Sequence, residues 1–378
     1  MKITYGSTCR QFLLGAALLA GFGFVAHASA QTRSYLIDLH GRTAADLGTL
    51  GGATSSAYGI NDTGHIVGHS SIATGDMHAF ITGPDGAGVR DLGTLGGANS
   101  SAYGINDTGH VAGHSYTGKG EMRAFITGSH GQGMKPLATI GGAQNWANAI
   151  NDAGQVVGES AAANGAWHAF VTGPHGAGMR DLGTLGGNYS AAWGINNTGQ
   201  VVGSSDLSAD GFVRAFITGP DGVGMRGLGT LGGESSWAWG INDAGQVIGH
   251  ADTNGASHAF ITGANGIDMR DLGTLGGASS WALGINDAGQ VVGSSSVDPT
   301  GAGPNHAFIT GPDGMGMRDL NSLVDLPDGV FLNSAQDINN AGQVIATAIP
   351  ELESYALMLA GLVLIQFRVR RKPLGAQM

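Results

Sequence analysis

Cysteine is almost missing from this chain. The 378 residues hold one, Cys9, and it precedes the first apolar run. If that run is removed on export, the mature chain has no thiol, which excludes disulfides and zinc–thiolate sites. Cys9 does not stand at the C-terminal edge of the run, so a lipid anchor there is not expected. Charge is the second scarcity: 12% of residues are charged, against 42% hydrophobic. Residues 31–350 hold 11 of the 17 basic and 26 of the 28 acidic side chains, so this stretch carries 11 − 26 = −15. An acidic surface disfavours nucleic acid and anionic lipid and at most holds divalent cations loosely. Catalytic signatures are missing too. Gly86-Ala87-Gly88 and Gly96-Gly97 are not followed by Gly-Lys-Ser/Thr and open no helix, which rejects a phosphate loop. No Gly-X-Ser-X-Gly elbow occurs.

What the chain has instead is glycine, 69 residues of it, and a repeat. The stretch from Met269 to Gly293 returns along almost the whole sequence. Its Gly-Ile-Asn-Asp element places asparagine at Asn61, Asn106, Asn151, Asn196, Asn242, Asn286 and Asn339, with spacings of 45, 45, 45, 46, 44 and 53 residues. A fixed period in this range marks a repeat architecture. Each copy reads as four short strands. The Asn-[Asp/Asn]-X-Gly element, as in Asn61-Asp62-Thr63-Gly64, is a hairpin turn, because Asn and Asp bond their own backbone and Gly takes the left-handed conformation. Asp46-Leu47-Gly48-Thr49-Leu50 reads as a strand closed by Gly51-Gly52. In the last copy, Asn321 to Gly329 is an inserted loop that accounts for the longest spacing.

The strands carry apolar or small residues on both faces, as in Val201-Val202-Gly203 and Ala215-Phe216-Ile217. A sheet wet on one side would alternate more cleanly. Four strands per 45 residues, buried on both faces against similar sheets, predict an all-β fold: a seven-bladed β-propeller spanning residues 31–348. A β-solenoid is the alternative. Strands within residues 35–50 are expected to complete the last sheet with Ser334–Asn339 and Gln343–Thr347.

The two ends differ in composition. Residues 1–30 have the form of a signal peptide: Lys2 and Arg10, an apolar run from Phe12 to Ala26, then Ala28-Ser29-Ala30 for cleavage before Gln31. Residues 349–372 join Pro350-Glu351 to an apolar stretch, Tyr355 to Ile365, and a basic cluster of Arg368, Arg370, Arg371 and Lys372. The apolar stretch is shorter than the ~20 residues of an unaided membrane span, but its basic flank fits a transmembrane helix stopped with its C-terminus in the cytoplasm.

The repeat resembles the HAF-repeat family of bacterial extracellular proteins. The likeness rests on His78-Ala79-Phe80, His168-Ala169-Phe170, His258-Ala259-Phe260 and His306-Ala307-Phe308, each followed by Asp-Leu-Gly-Thr-Leu-Gly-Gly or a variant; Arg123 and Arg214 depart at the first position. The tail resembles a PEP-CTERM sorting signal, with Leu352 where such signals carry a second proline. The resemblance implies recognition by an exosortase-like enzyme in a Gram-negative bacterium and delivery to the cell surface or extracellular matrix. It brings no catalytic residue and no cofactor.

Two side-chain sets are candidates for chemistry. His65 and His69, like His110 and His114, lie four apart. The position of His69 recurs as His114, Glu159, Ser204, His250 and Ser294, a ring that faces the channel if the strand turns that way. Metal binding needs two or three such groups within about 2.0–2.2 Å of one ion, and equivalent atoms of adjacent blades lie further apart, so no metal is expected there. Tyr58, Tyr103, Trp193 and Trp239 share one strand position, with Trp146, Trp237 and Trp281 two residues earlier. Exposed, the indoles of Trp193, Trp237, Trp239 and Trp281 would stack on sugars; buried, they are packing. The expected function is a non-enzymatic, multivalent scaffold. A glycan-binding lectin is the alternative, and a polysaccharide hydrolase would need acids such as Glu159 and Glu234 in one pocket.

Overall fold

The computed structural model describes residues 32–208, 211–300 and 303–350; the expected signal peptide (1–30) and all of the expected sorting segment (349–372) beyond Pro350 lie outside the described residues. Seven four-stranded antiparallel sheets form the blades of a closed β-propeller. Blade 1 consists of Gly51–Ile60, Ile66–Ile72, Met77–Thr82 and Val89–Gly93, running from the axis outward. Blades 2 to 6 repeat this order, opening at Gly96, Gly141, Ser190, Ser236 and Ser280. Blade 7 is composite. Val330–Ile338 and Gln343–Pro350 supply its inner half, and Arg33–Asp38 and Thr43–Asp46 its outer half, with Arg33 opposite Ala348. The N-terminal strands therefore close the ring as the sequence implies, and the last strand runs two residues past the expected boundary at 348.

The poor hydrophobic alternation follows from the packing. Val201 joins a cluster with Val157, Ala169 and Val171 of blade 3, whereas its neighbour Val202 joins Ala238, Val247 and Phe260 of blade 5. Successive side chains on a strand point to opposite faces, and here each face meets another blade. The core is thus a ring of seven interfaces, not one centre. Phenylalanine anchors six of them: Phe80, Phe125, Phe170, Phe216, Phe260 and Phe308 are fully buried, each worth about 1.5–3 kcal/mol of transfer free energy. Each sits directly across from a glycine on the neighbouring strand, as Phe216 does from Gly203. That pairing accounts for one glycine in each of blades 1 to 6, in the Val-Val-Gly pattern and its variants.

In the first copy of the Asp-Leu-Gly-Thr-Leu-Gly-Gly run, residues 47–49 form a connector, which corrects the expectation of a strand over 46–50; in the next copy the strand Val89–Gly93 continues through Asp91, Leu92 and Gly93. In the first copy the strand ends at Asp46, whose Oδ1 accepts from Gly48 N at 2.8 Å. Gly48 and Gly51 then take positive φ of 77° and 96°, turning the chain toward the next blade. Thr49 Oγ1 donates to Gly52 O at 2.9 Å and fixes the crossing. The inserted loop is ordered by packing: Leu320 and Val324 are buried against blade 7, and Asp325 N donates to Arg42 O at 3.0 Å.

Candidate functional site

The seven inner strands enclose a channel, and the repeat decides what lines each mouth. At one mouth lie the Asn-[Asp/Asn]-X-Gly turns, around a cavity of about 210 Å³. Each turn asparagine is 3–5% exposed and reaches across to the next blade. Asn61 Nδ2 donates to Asn106 O at 3.0 Å, and the bond steps through Asn151, Asn196, Asn242, Asn286 and Asn339 before Asn339 Nδ2 returns to Asn61 O at 3.0 Å. A second ring follows one residue later. Asp62 N donates to Asp107 Oδ1 at 2.9 Å, then through Asp152, Asn197, Asp243, Asp287 and Asn340, whose N–H closes on Asp62 Oδ1 at 2.8 Å. Asn197 and Asn340 each donate Nδ2 to the carboxylates on both sides. Asp107 stands between two acids instead. Burial, then the charges of Asp62, Asp152 and Asp243, raise its pKa against the lowering effect of the Asp62 N–H. Among the described residues, no three His, Cys, Asp or Glu side chains are grouped to hold one ion.

Mid-channel, one blade breaks the pattern. Where other blades carry Gly59, Gly104, Ala149, Gly194, Gly240 and Gly284, blade 7 carries Asp337, which lines both cavities of the channel. Its Oδ2 accepts from Ile60 N at 3.2 Å and its Oδ1 from Ile338 N at 2.9 Å. Desolvation dominates these bonds and, with the nearby Asp62 charge, pushes its pKa up to about 7. A raised carboxyl pKa means that the folded state holds a proton the unfolded chain has released, so this contribution to stability is present at low pH and lost as pH rises through about 7. Asp337→Asn is therefore expected to gain on the parent protein by about 1–3 kcal/mol between pH 4 and pH 8, read as the difference in Tm at each pH. A pH-independent difference would contradict an ionising carboxyl at this position.

The other mouth is aromatic. Tyr58, Tyr103, Asn148, Trp193, Trp239, Leu283 and Gln336 occupy one position of the seven inner strands around a second cavity of about 210 Å³. Tyr58 stacks on Tyr103 with centroids 4.9 Å apart, and Trp193 lies 4.9 Å from Trp239. The indole N–H groups are engaged behind the mouth: Trp193 Nε1 donates to Ser204 Oγ at 3.3 Å and Trp239 Nε1 to His250 Nδ1 at 2.9 Å. Burial, and then the neighbouring Tyr58, raise the Tyr103 hydroxyl to about 12, opposed by Ser101. The ring faces, half-buried, remain the accessible chemistry.

No family model matches the chain, and no curated protein matches it in sequence. Its fold has solved counterparts. A protein assigned as TolB from Agrobacterium tumefaciens is 10% identical over 86% of this chain and all of its own, with a TM-score of 0.49. A puromycin hydrolase variant is 14% identical over 79% of this chain and 50% of its own, with a TM-score of 0.50. An oligogalacturonate lyase in complex with manganese is 10% identical over 80% and 97%, with a TM-score of 0.47. Likeness at these identities is a likeness of fold.

The structure separates the candidate residues. Trp193 and Trp239 line the mouth, and Trp237 stacks on His250 at 4.7 Å beside them; Trp281, paired with Ser294 in blade 6, lines neither cavity. The ring proposed through His69 does not face the channel. It lies one strand outward: His69 meets Tyr58 and His114 meets Tyr103 behind the mouth, while Glu159 accepts from Tyr189 Oη at 2.6 Å and Ser294 Oγ donates to Asn333 O at 3.1 Å. Burial lowers His114 and His250 to about 4, so both are neutral, while burial raises Glu159 against its tyrosine bond. Glu159 lines neither channel cavity, and Glu234 lies on a surface groove with Asp252 and Asn254 that Glu159 does not line. The motif histidines are rim stitches. Nδ1 of His78, His168, His258 and His306 meets Asp91, Asp181, Asp271 and Asp319 at 2.7–2.8 Å. Where arginine replaces histidine, at Arg123 and Arg214, the aspartate is also gone, leaving Pro136 and Gly227. Asp337 and the two hydrogen-bonded rings were not foreseen from the sequence.

Proposed function

We propose that this chain is an exported, non-enzymatic protein of the Gram-negative cell surface or extracellular matrix, handled by an exosortase-like enzyme through its tail, and that its disc is a multivalent scaffold. The observation that carries the reading is one loop repeated around one face. The short 3-10 turns Pro84–Gly86, Ser129–Gly131, Pro174–Gly176, Pro220–Gly222, Ala264–Gly266 and Pro312–Gly314 each rest on an Asn-X-X-Gly turn, as Gly86 N does on Gly64 O at 3.1 Å. The residue after the turn is exposed and apolar in three consecutive blades, Val223, Ile267 and Met315. A partner with repeating units meets the same contact several times, and linked weak contacts multiply into avidity. Glu159 is bonded to Tyr189 and does not line the groove of Glu234, which supports the non-enzymatic reading. The test is cell fractionation of the full chain beside a variant with Arg368, Arg370, Arg371 and Lys372 changed to glutamine. Surface or matrix delivery of the first, and retention of the second at the membrane, is the expected result; a parent protein recovered from the cytosol would sink the proposal.

A lectin function is the second reading, favoured by the Tyr58–Tyr103 and Trp193–Trp239 pairs around one cavity. Extracellular polysaccharide is then expected to shift tryptophan emission in the parent protein and not in Trp193→Ala/Trp239→Ala. An unshifted parent spectrum leaves these rings as packing.

A further inference from the structure

The face of the turns carries a second departure from the repeat, and it involves paired positions. The residue after the turn glycine is Gln155, Gln200, Gln246, Gln290 or Gln343 in five blades, but His65 and His110 in blades 1 and 2. The central residue of the 3-10 turn is Asp85, Asp221, Asn265 or Asp313 in four blades, but His130 and His175 in blades 2 and 3. These positions meet across the blade junction. Gln343 donates to Asp85, Gln200 to Asn265 and Gln246 to Asp313, at 3.0–3.3 Å. At the two junctions where one partner is histidine, so is the other. His65 faces His130 with centroids 6.2 Å apart, and His110 faces His175 at 5.9 Å. Two imidazoles at both junctions, in place of an amide and a carboxylate, replace a hydrogen bond with a pair of nitrogen ligands.

The asparagine ring fixes which nitrogen is free. Asn61 Nδ2 is committed to Asn106 O, so its Oδ1 is the acceptor for Thr63 Oγ1 at 2.9 Å. With the threonine proton spent there, the contact of 2.8 Å between Thr63 Oγ1 and His65 Nδ1 needs the proton on Nδ1. Nε2 of the neutral ring then carries the lone pair. Blade 2 repeats the chain through Asn106, Thr108 and His110, at 2.8 and 2.6 Å. A histidine whose other nitrogen donates to a fixed partner is the usual form of a metal ligand. Burial, then the facing histidines, lower the pKa of His65 and of His110, with Asp85 opposing at His65; both rings are accordingly neutral near pH 7.

We propose that His65 with His130, and His110 with His175, form two adjacent two-histidine clips, each binding one divalent first-row transition ion. Imidazole suits zinc, copper and nickel. With a metal–nitrogen bond of about 2.0–2.1 Å, each ring centroid lies about 3.2 Å from the ion, and a tetrahedral pair spans about 5.2 Å. The separations of 6.2 and 5.9 Å are within about 1 Å of that span, and His130 and His175 are exposed and able to swing inward. Water completes each coordination shell, which agrees with the lack of any three-ligand group among the described residues.

Isothermal titration of the full chain with zinc chloride tests this. His65→Gln and His110→Gln install the residue five other blades carry, so the fold is kept, and circular dichroism checks it. Two ions per chain are expected for the parent, one for each single variant and none for the double variant. Thr108→Ala, alanine being the residue of four other blades, is expected to weaken one site about tenfold while leaving its ligands in place. His69→Gln/His114→Gln is expected to keep both ions. An absence of binding in the parent, a single ion abolished by either histidine variant, or zinc retained by the double variant would each overturn the proposal.

Discussion

Gly203→Ala is expected to destabilise the propeller by more than about 4 kcal/mol, the largest effect of any single methyl group added to this blade. An ideal Cβ there would stand 2.0 Å from Ala191 O, 2.8 Å from Phe216 Cε1 and 2.9 Å from Ala192 Cα. The nearest atom is backbone, so no rotamer change relieves it; the two inner strands would have to part. Phe216→Ala, by comparison, leaves a cavity at a fully buried site and is expected to cost about 3–5 kcal/mol. Combining the two separates the causes. If the ring were the obstacle, removing it would make alanine at 203 harmless; because the carbonyl is the obstacle, the double variant should be no more stable than Phe216→Ala and should melt lower. A Gly203→Ala protein melting within about 1 °C of the parent would refute the close approach.

Asn196→Asp is the second large effect. The side chain of Asn196 donates to Asn242 O and Gln200 Oε1 and accepts from Gln200 N and Thr198 Oγ1, all while 3% exposed. Alanine would strand these partners, at about 1–3 kcal/mol for each group left unsatisfied. Aspartate does worse at neutral pH, since a carboxylate oxygen would face two acceptor oxygens in a dry site. We expect a loss of about 4–5 kcal/mol at pH 7. Protonation restores one donor, so the pKa of the new carboxyl must be raised in the folded state. Stability of the aspartate variant should then recover as pH falls below the raised value, whereas that of Asn196→Ala should not. Denaturant midpoints at pH 4.5 and pH 7.5 read the difference; parallel behaviour of the two variants would argue against the inter-blade bond.

Much of the fold is legible because a repeat declares its own geometry. The 45-residue spacing of the turn asparagines fixes the number of blades. Val201 and Val202, apolar in succession, announce a sheet covered on both sides. The first copy of the Asp-Leu-Gly-Thr-Leu-Gly-Gly run misleads because Leu47 looks like a strand position, while the backbone of Gly48 and Gly51 sits at positive φ that no sequence pattern displays. The asparagine ring is hidden for a different reason. Asn-Asp-X-Gly explains itself locally as a turn, so nothing prompts a search for partners one period away, although that period is the separation between donor and acceptor. The departures are the readable part that alignment of the copies exposes: Asp337 where its counterparts are glycine or alanine, and histidine at two facing positions at once. The aromatic position of Tyr58, Tyr103, Trp193 and Trp239 is legible as a shared register, but its place at a channel mouth depends on which end of the strand the hairpin turn occupies.

The closure of blade 7 has a consequence for how the molecule is made. Arg33 pairs with Ala348, and Asp38 with Gln343, across nearly the whole length of the propeller. Blades 1 to 6 are each built from contiguous chain and assemble from local contacts, which form early and quickly. The seventh has to wait. Until the strand ending at Pro350 is in place, the N-terminal pair has no sheet to join, and the chain is an open arc with two raw interblade surfaces, one of them bearing Ala57, Ile66 and Phe80. An arc of this kind is sticky toward its own copies, because the free face of one chain matches the free face of the next. Propeller assembly is thus a race between ring closure and concatenation, decided by how soon the last two strands arrive.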